Sequence, residues 1–385
     1  MKLEKDLLIG AMNLLNTIFF ELIQVAIGHR NALSRVPSAE EWSKLYGLSA
    51  KQAVAGVCFC GLQRLPAEQL SELPKSLMMQ WFALAETIRQ RNVLMTHRCG
   101  ELLQMLDAEG MRCSILKGQG VATLYNGIDS EKTPLGLYRQ SGDIDVWVDG
   151  GMARALKWCR ERYGDVDFDY INAHVPVFED VEVEIHWRVQ SMTNLFKNWK
   201  LQRWLERDET KEMICGSTTS LPDGSVVNVP TIDFNAFYLM LHCYNHEFSS
   251  GLGLRQLMDY YFLLKKNIDK KDLVLALFHE FGMERFVSAV MWIMQDVFGL
   301  ERERLLCEPD EKEGRYILGE VMKSGNFGQH DKRIKRVGKG KWQSVFASLQ
   351  HALHVLRRYP SEALWMPVWM VYHFVWKRTL KINKR

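Results

Sequence analysis

The chain has no CxxC pair and no cysteine–histidine array, although its 385 residues include eight cysteines. Cys58 and Cys60 lie two apart in an apolar segment and the rest are scattered. That pattern suits reduced core thiols in a cytoplasmic protein better than a disulfide framework or a zinc ribbon. A strong charge excess is also missing: 49 basic residues against 46 acidic ones leave +3, too slight a bias to indicate a nucleic-acid partner. No secretory signal or transmembrane segment is evident. The opening MKLEKDLLIGAMNLLNTIFFELIQVAIG is apolar, but Asn13, Asn16, Glu21 and Gln24 interrupt it at helical intervals. It therefore reads as an amphipathic or buried helix, since a span needs about 20 mainly apolar residues.

With 47% hydrophobic and 25% charged residues, the composition is that of an ordinary globular protein, and the length suggests two or three units. Residues 1–105 read as a helical region. Ser38 with Glu41 forms a capping box behind Pro37, a second helix follows Ser49, and the longest helix covers roughly 76 to 109. Residues 106–230 change character to short strands and glycine turns, and 231–385 return to helix.

The middle region holds the pattern that asks for an explanation. In SGDIDVWV, residues 141–148, a strand's period of two puts Asp143, Asp145 and Trp147 on one face and Ile144, Val146 and Val148 on the other. Acidic side chains repel on a shared strand face and Asp is depleted from strands, so local propensity does not account for the pair. A divalent cation accounts for it, because Mg²⁺ takes hard oxygen ligands beside substrate phosphates. Upstream, MRCSILKG runs into Gly118 and Gly120, and GVATLYNG forms a brief helix closed by Gly127. A strand leading through a glycine turn into a helix N-terminus favours a phosphate, and Lys117 adds a point charge. Downstream, Asp149 is placed to cap a helix over 151–163. A hairpin follows, HVPVFED into VEVEIHWRV, with its turn near Glu179 and Asp180. Val181, Val183, Ile185 and Trp187 share one face of its second strand, and Glu182, Glu184 and His186 share the other. Metal-assisted phosphoryl or nucleotidyl transfer needs carboxylates from adjacent strands beside a turn that positions a triphosphate.

LKGQGVATLYNG, RQSGDIDVWV and VEVEIHW together resemble the nucleotidyltransferase superfamily of the DNA polymerase β type. More closely, the chain is similar to a bacterial group of largely uncharacterised nucleotidyltransferases, the NTP-transferase 5 type. The likeness extends from the Trp near EEW, through the strand R-x-x-G-D-I-D and the strand E-x-H-W, to a helical tail with spaced His, Arg and Asp. Residues 116–187 are its specific part. The resemblance implies an α+β fold, a polymerase β-like nucleotidyltransferase core with a small mixed sheet flanked by helical regions. It also implies that the core binds a nucleoside triphosphate as substrate with Mg²⁺ (or Mn²⁺). It carries Asp143, Asp145 and Glu184 over as metal-binding and catalytic residues, with Glu182 the alternative third acid. Lys117, Gly118, Arg139, Ser141 and Gly142 fall where nucleotide contacts are expected, and His186, His242, Arg255 and Asp259 become candidates for the cleft wall. Two departures stand out: the turn reads Gly118-Gln119 where the superfamily has Gly-Ser, and 22 residues separate Gly120 from Asp143.

The expected activity is transfer of NMP from an NTP to a hydroxyl acceptor that no feature identifies. The alternative is a catalytically silent nucleotide- or partner-binding protein on the same fold. In the last third, Phe234, Phe237, Tyr238 and Leu241 form a buried stripe. His242 and His246 align at i and i+4, without the glutamate of HExxH or a third zinc ligand. Arg255 and Asp259 read as an i,i+4 ion pair. DKRIKRVGKGKW, residues 331–342, concentrates six basic residues against one acid, the composition of a solvated loop or an anion contact. The tail LWMPVWMVYHFVWKRTLKINKR reads as a final helix packed on the core, with weak contact to a membrane surface as the other reading.

Overall fold

The computed structural model describes residues 2–127, 134–249, 251–328, 350, 353 and 355–382; the basic run 331–342 lies outside them. Helices α1 (Lys2–Ala26), α2 (Ala39–Lys51), α3 (Ala55–Arg64) and α4 (Lys75–Ala108) open the chain. The capping box before α2 is formed: Ser38 Oγ accepts the Glu41 amide at 3.3 Å and Glu41 Oε2 accepts the Ser38 amide at 2.9 Å. Ser49 does not start the next helix but lies in the last turn of α2, its hydroxyl donating to the Tyr46 carbonyl at 2.7 Å. The break falls at Ala53, held at φ 55°. At 34 residues, α4 is roughly 50 Å long. Leu77, Trp81 and Ala85 place its first half in one hydrophobic core, and Met95, Cys99, Leu102 and Leu106 place its second half in another.

That second core covers one face of a mixed five-stranded sheet. The strands are β1 (Cys113–Ile115), β2 (Ile144–Val148), β3 (Asp167–Phe168), β4 (Asn172–Val175) and β5 (Val183–His186), in the order β1-β2-β5-β4-β3. β2 and β5 are parallel and the other neighbours antiparallel. A parallel pair needs a crossover, here α6 (Gly151–Tyr163) with β3 and β4. Asp149 does not cap α6 as expected: Gly150, at φ 99°, is the N-cap residue, and Asp149 reaches instead to the Gly150 amide at 2.8 Å and to Lys211 at 3.1 Å. Ile144, Val146 and Val148 of β2, with Val183 and Ile185 of β5, pack on α4 and α6 as the strand period requires. The opposite face carries Asp145, Glu184 and His186.

After the sheet come α7 (Leu195–Leu205), α8 (Asp208–Cys215) and a small β6–β7 hairpin (Ser217–Ser220, Val226–Val229). Then follow α9 (Ile232–Ser249), α10 (Leu254–Leu264), α11 (Lys271–Glu280), α12 (Glu284–Asp296) and α13 (Glu311–Ser324). Phe234, Phe237, Tyr238 and Leu241 of α9 are buried as predicted, and they share one core with Phe19 and Leu22 of α1 and Phe59 of α3. The last helix, α14 (Pro360–Ile382), sets Trp369 and Trp376 edge-on to Tyr170 with centroids 5.2 and 5.1 Å away, while Leu364, Val368, Val371 and Val375 face outward. No helix among the described residues is long and apolar enough to cross a membrane. All eight cysteines are free and six are buried. The fold is α+β, helices around a small mixed sheet.

Candidate active site

The parallel register of β2 and β5 sets Asp145 opposite Glu184 and Trp147 opposite His186. The next residue pair on the same face therefore brings an imidazole up to two carboxylates. His186 Nε2 lies 3.0 Å from Asp145 Oδ1 and 3.2 Å from Glu184 Oε2, and ligand atoms of all three residues fall within 4.8 Å of one another. On the neighbouring strand Asn172 donates to Glu184 Oε2, and His174 Nδ1 is 3.4 Å from the other oxygen. Lys117 Nζ approaches Asp145 Oδ1 at 2.8 Å from the end of β1. Asp143 immediately precedes β2 and lines the same cavity.

Charge is unevenly settled here. Burial opposes ionisation of Asp145, but Lys117 and the His186 hydrogen bond together hold its carboxyl well below the usual range. Burial likewise opposes the His186 cation, and the two carboxylates outweigh it, moving the pKa up to about 9. At Asp143 the attraction of Lys117 is outweighed. Burial first, then repulsion from Asp145, pushes it up to about 6.

The glycine turn is present, with Gly118 at φ 55° and ψ −114°, a conformation that strains any side-chain-bearing residue. The helix after it, α5 (Gln119–Ala122), spans only four residues, so its dipole is slight. Gln119 explains its own substitution for a hydroxyl residue: its side chain is buried and turned away from the cleft, donating to the Asn92 carbonyl at 3.1 Å. Asn92, in the middle of α4, clips the loop leading to β2 by donating to the carbonyls of Leu137 and Arg139, both at 2.7 Å. Ser141 donates to Asn92 Oδ1 at 2.8 Å, so its hydroxyl braces the loop from behind. Arg139 lines the cleft, yet its guanidinium is committed to Asp259 through two bonds of 2.6 and 2.7 Å. Asp259 therefore takes Arg139 and the Tyr125 hydroxyl, 2.7 Å away, in place of the expected helical pairing with Arg255. The Arg255 Nη1 instead donates to the Gln140 carbonyl at 2.7 Å.

Helices α9 and α10 close the other side. Together with the sheet they enclose a cleft of about 390 Å³ lined by Lys117, Gly118, Asp143, Asp145, Glu184 and His186 on one side and by His242, Asn245, His246, Arg255 and Gln256 on the other. Burial, then the nearby Lys117, pushes both α9 imidazoles down, His246 to about 3, so they line the wall as neutral groups. Among the described residues neither belongs to a group of three or more potential metal ligands. A second groove of about 770 Å³ shares Gly142, Asp143 and Arg255 with the first and runs along Phe178, Glu179 and Glu182. Glu182 is thus exposed on the approach to the site, while Glu184 points into it.

The family model described as uncharacterised nucleotidyltransferase matches residues 38–299. The chain belongs to this family. The match runs from the Ser38 cap through the sheet and both helices of the cleft wall, and α13 and α14 lie beyond it. No curated protein and no solved structure matches the chain. Family membership implies a nucleotide substrate. Of the residues expected at a nucleotidyltransferase site, the fold gathers Lys117, Gly118, Asp143, Asp145, Glu184, His186, His242 and Arg255 around one cavity, with exposed Gly142 at its mouth. Arg139 and Asp259 form the cleft's supporting clamp, and Ser141 lies behind it. Asn172, Asn245 and Gln256 went unnoticed in sequence. Only Asn172 left a trace, since it precedes His174 by two residues on the strand that pairs with VEIH.

Proposed function

We propose that this cleft binds a nucleoside triphosphate with Mg²⁺ or Mn²⁺ and transfers its nucleotidyl group to a hydroxyl-bearing acceptor, on a core of polymerase β type. The observation carrying the reading is that Asp145 and Glu184, opposite each other on parallel strands, face one cavity beside the Gly118 turn. Their oxygens fit a divalent cation, and its chemistry when bound is to neutralise charge on the phosphates and to acidify the acceptor hydroxyl. Lys117, reaching over the same carboxylate, is placed to exchange that partner for a phosphate oxygen. Asp143 adjoins the pair and lines both the cleft and the second groove, where its carboxylate is placed to take up the hydroxyl proton. The acceptor oxygen attacks the α-phosphorus, the bond to the bridging oxygen breaks, and pyrophosphate leaves. The acceptor's route is the second groove, which meets the cleft at Asp143. Incubation with each α-labelled NTP and cell extract tests this. Asp143→Ala, Asp145→Ala and Glu184→Gln should each cut label transfer by about 10³-fold, the loss of several kcal/mol of charge stabilisation, with Glu182→Gln unaffected. Transfer that survives both aspartate substitutions overturns the reading.

A catalytically silent nucleotide binder is the second reading, favoured by the inward-turned Gln119 side chain where a phosphate-binding hydroxyl is expected. It predicts saturable NTP binding by calorimetry with no consumption of NTP in Mg²⁺ or Mn²⁺.

A further inference from the structure

The group of side chains that could hold a cation, Asp145, Glu184 and His186, contains a nitrogen. His186 Nδ1 is 3.3 Å from the Arg188 carbonyl oxygen. A carbonyl only accepts, so Nδ1 carries a hydrogen and the Nε2 edge is the one presented to Asp145 and Glu184. A backbone carbonyl holding one ring nitrogen while the other faces carboxylates is the arrangement that orients a metal-ligating histidine. The spacing agrees. Adjacent ligands around an ion with bonds of about 2.1 Å stand about 3.0 Å apart, and Nε2 lies 3.0 and 3.2 Å from the two carboxylate oxygens. His186 is 2% exposed and Asp145 3%, so these two are already out of water, while Glu184 is half-buried at the cavity wall, and sheet register fixes all three.

We propose that His186 Nε2 is a metal ligand with Asp145 and Glu184, and that this mixed nitrogen and oxygen set selects a first-row ion such as Mn²⁺ over Mg²⁺. Imidazole raises affinity for Mn²⁺ and its successors, whereas Mg²⁺ favours oxygen ligands and retained water. In the metal-free chain the Lys117 ammonium sits on Asp145 Oδ1 at 2.8 Å, and an arriving ion would take its place there. The inference rests on the nucleotidyl-transfer reading for the use of the ion, but binding is measurable without nucleotide, so the two fail separately.

The test is pulsed EPR of Mn²⁺ bound to the full chain, with natural-abundance and ¹⁵N-histidine protein. Expected are a directly coordinated imidazole nitrogen whose modulation changes with the isotope, and Mg²⁺ competing only at concentrations at least tenfold above Mn²⁺. His186→Gln should abolish the modulation and weaken Mn²⁺ binding by about 10–100-fold, the scale of perturbing a metal-ligand shell. His242→Ala and His246→Ala should each leave the modulation in place, which separates His186 from the two α9 imidazoles that also line the cleft. The wild-type isotope comparison decides the matter even if a variant does not fold. Mn²⁺ bound without nitrogen modulation, or Mg²⁺ competing at equal concentration, overturns the proposal and leaves His186 as a cation orienting two acids.

Discussion

Arg139 and Asp259 meet in a buried two-bond pair at 2.6 and 2.7 Å with Tyr125 on the same carboxylate, whereas Asp145 carries Lys117 at 2.8 Å and His186 at 3.0 Å on a single oxygen. Both clusters border one cleft. In the first, the planar guanidinium matches the carboxylate fork, and the pair is sealed between the loop before β2 and helix α10. In the second, two cations crowd one oxygen of a residue facing an open cavity, and the neighbouring Asp143 is pushed up to about 6. The contrast teaches that buried charge is used here in two ways. A saturated pair fixes the loop that delivers the acids, and a carboxylate with two cations on one oxygen faces the open cavity.

Breaking the saturated pair should have the largest effect on stability. Asp259→Ala leaves Arg139 charged, buried and without its carboxylate, and should cost about 3–5 kcal/mol in urea unfolding. Asp145→Ala should cost clearly less, and equal losses would erase the distinction between the clusters. The two glycines at the cleft give a smaller contrast. Gly118→Ala should lose about 1–3 kcal/mol through its positive φ, because a new Cβ there meets nothing closer than the Asp143 carbonyl at 3.5 Å. Gly142→Ala, with nothing within 4 Å, should stay within ~0.5 kcal/mol. Matching losses at the two positions would show that the positive φ at Gly118 carries no penalty of its own. A further small effect belongs to an ion pair away from the cleft, Arg35 with Glu41. The Arg35 hydrogen bond pulls the Glu41 carboxyl down to about 2, so the pair's contribution is present above the unfolded value near 4.5 and is lost as pH falls through 2. It is partly exposed and should be worth less than about 1 kcal/mol. Thermal melts of wild type and Glu41→Gln should therefore differ slightly at pH 6 and converge near pH 2.

Much of the site was legible in the sequence because strand periodicity acts over a few residues. The alternation in DIDVWV and in VEVEIHW put Asp143 with Asp145, and Glu184 with His186, before any coordinates. Helical stripes in α9 and the Ser38–Glu41 cap were readable for the same local reason. Arg255 and Asp259 failed as a pair because spacing on one helix says nothing of a stronger partner arriving from 120 residues away. Asn92 was invisible for a related reason: in the middle of a long helix it looks like an ordinary polar residue, and its work is on carbonyls 45 and 47 positions later.

The order of residues thus decided which side chains share a face, since pleat and helix pitch are properties of the backbone alone. It could not decide that β5 lies parallel to β2 with Glu184 opposite Asp145, that Glu182 is left at the approach, or that α9 and α10 roof the acids. Those follow from burying Val146 and Ile185 under α4 and α6 while two distant thirds of the chain form one core. Such a choice is made by packing across long separations, where no short stretch carries the information.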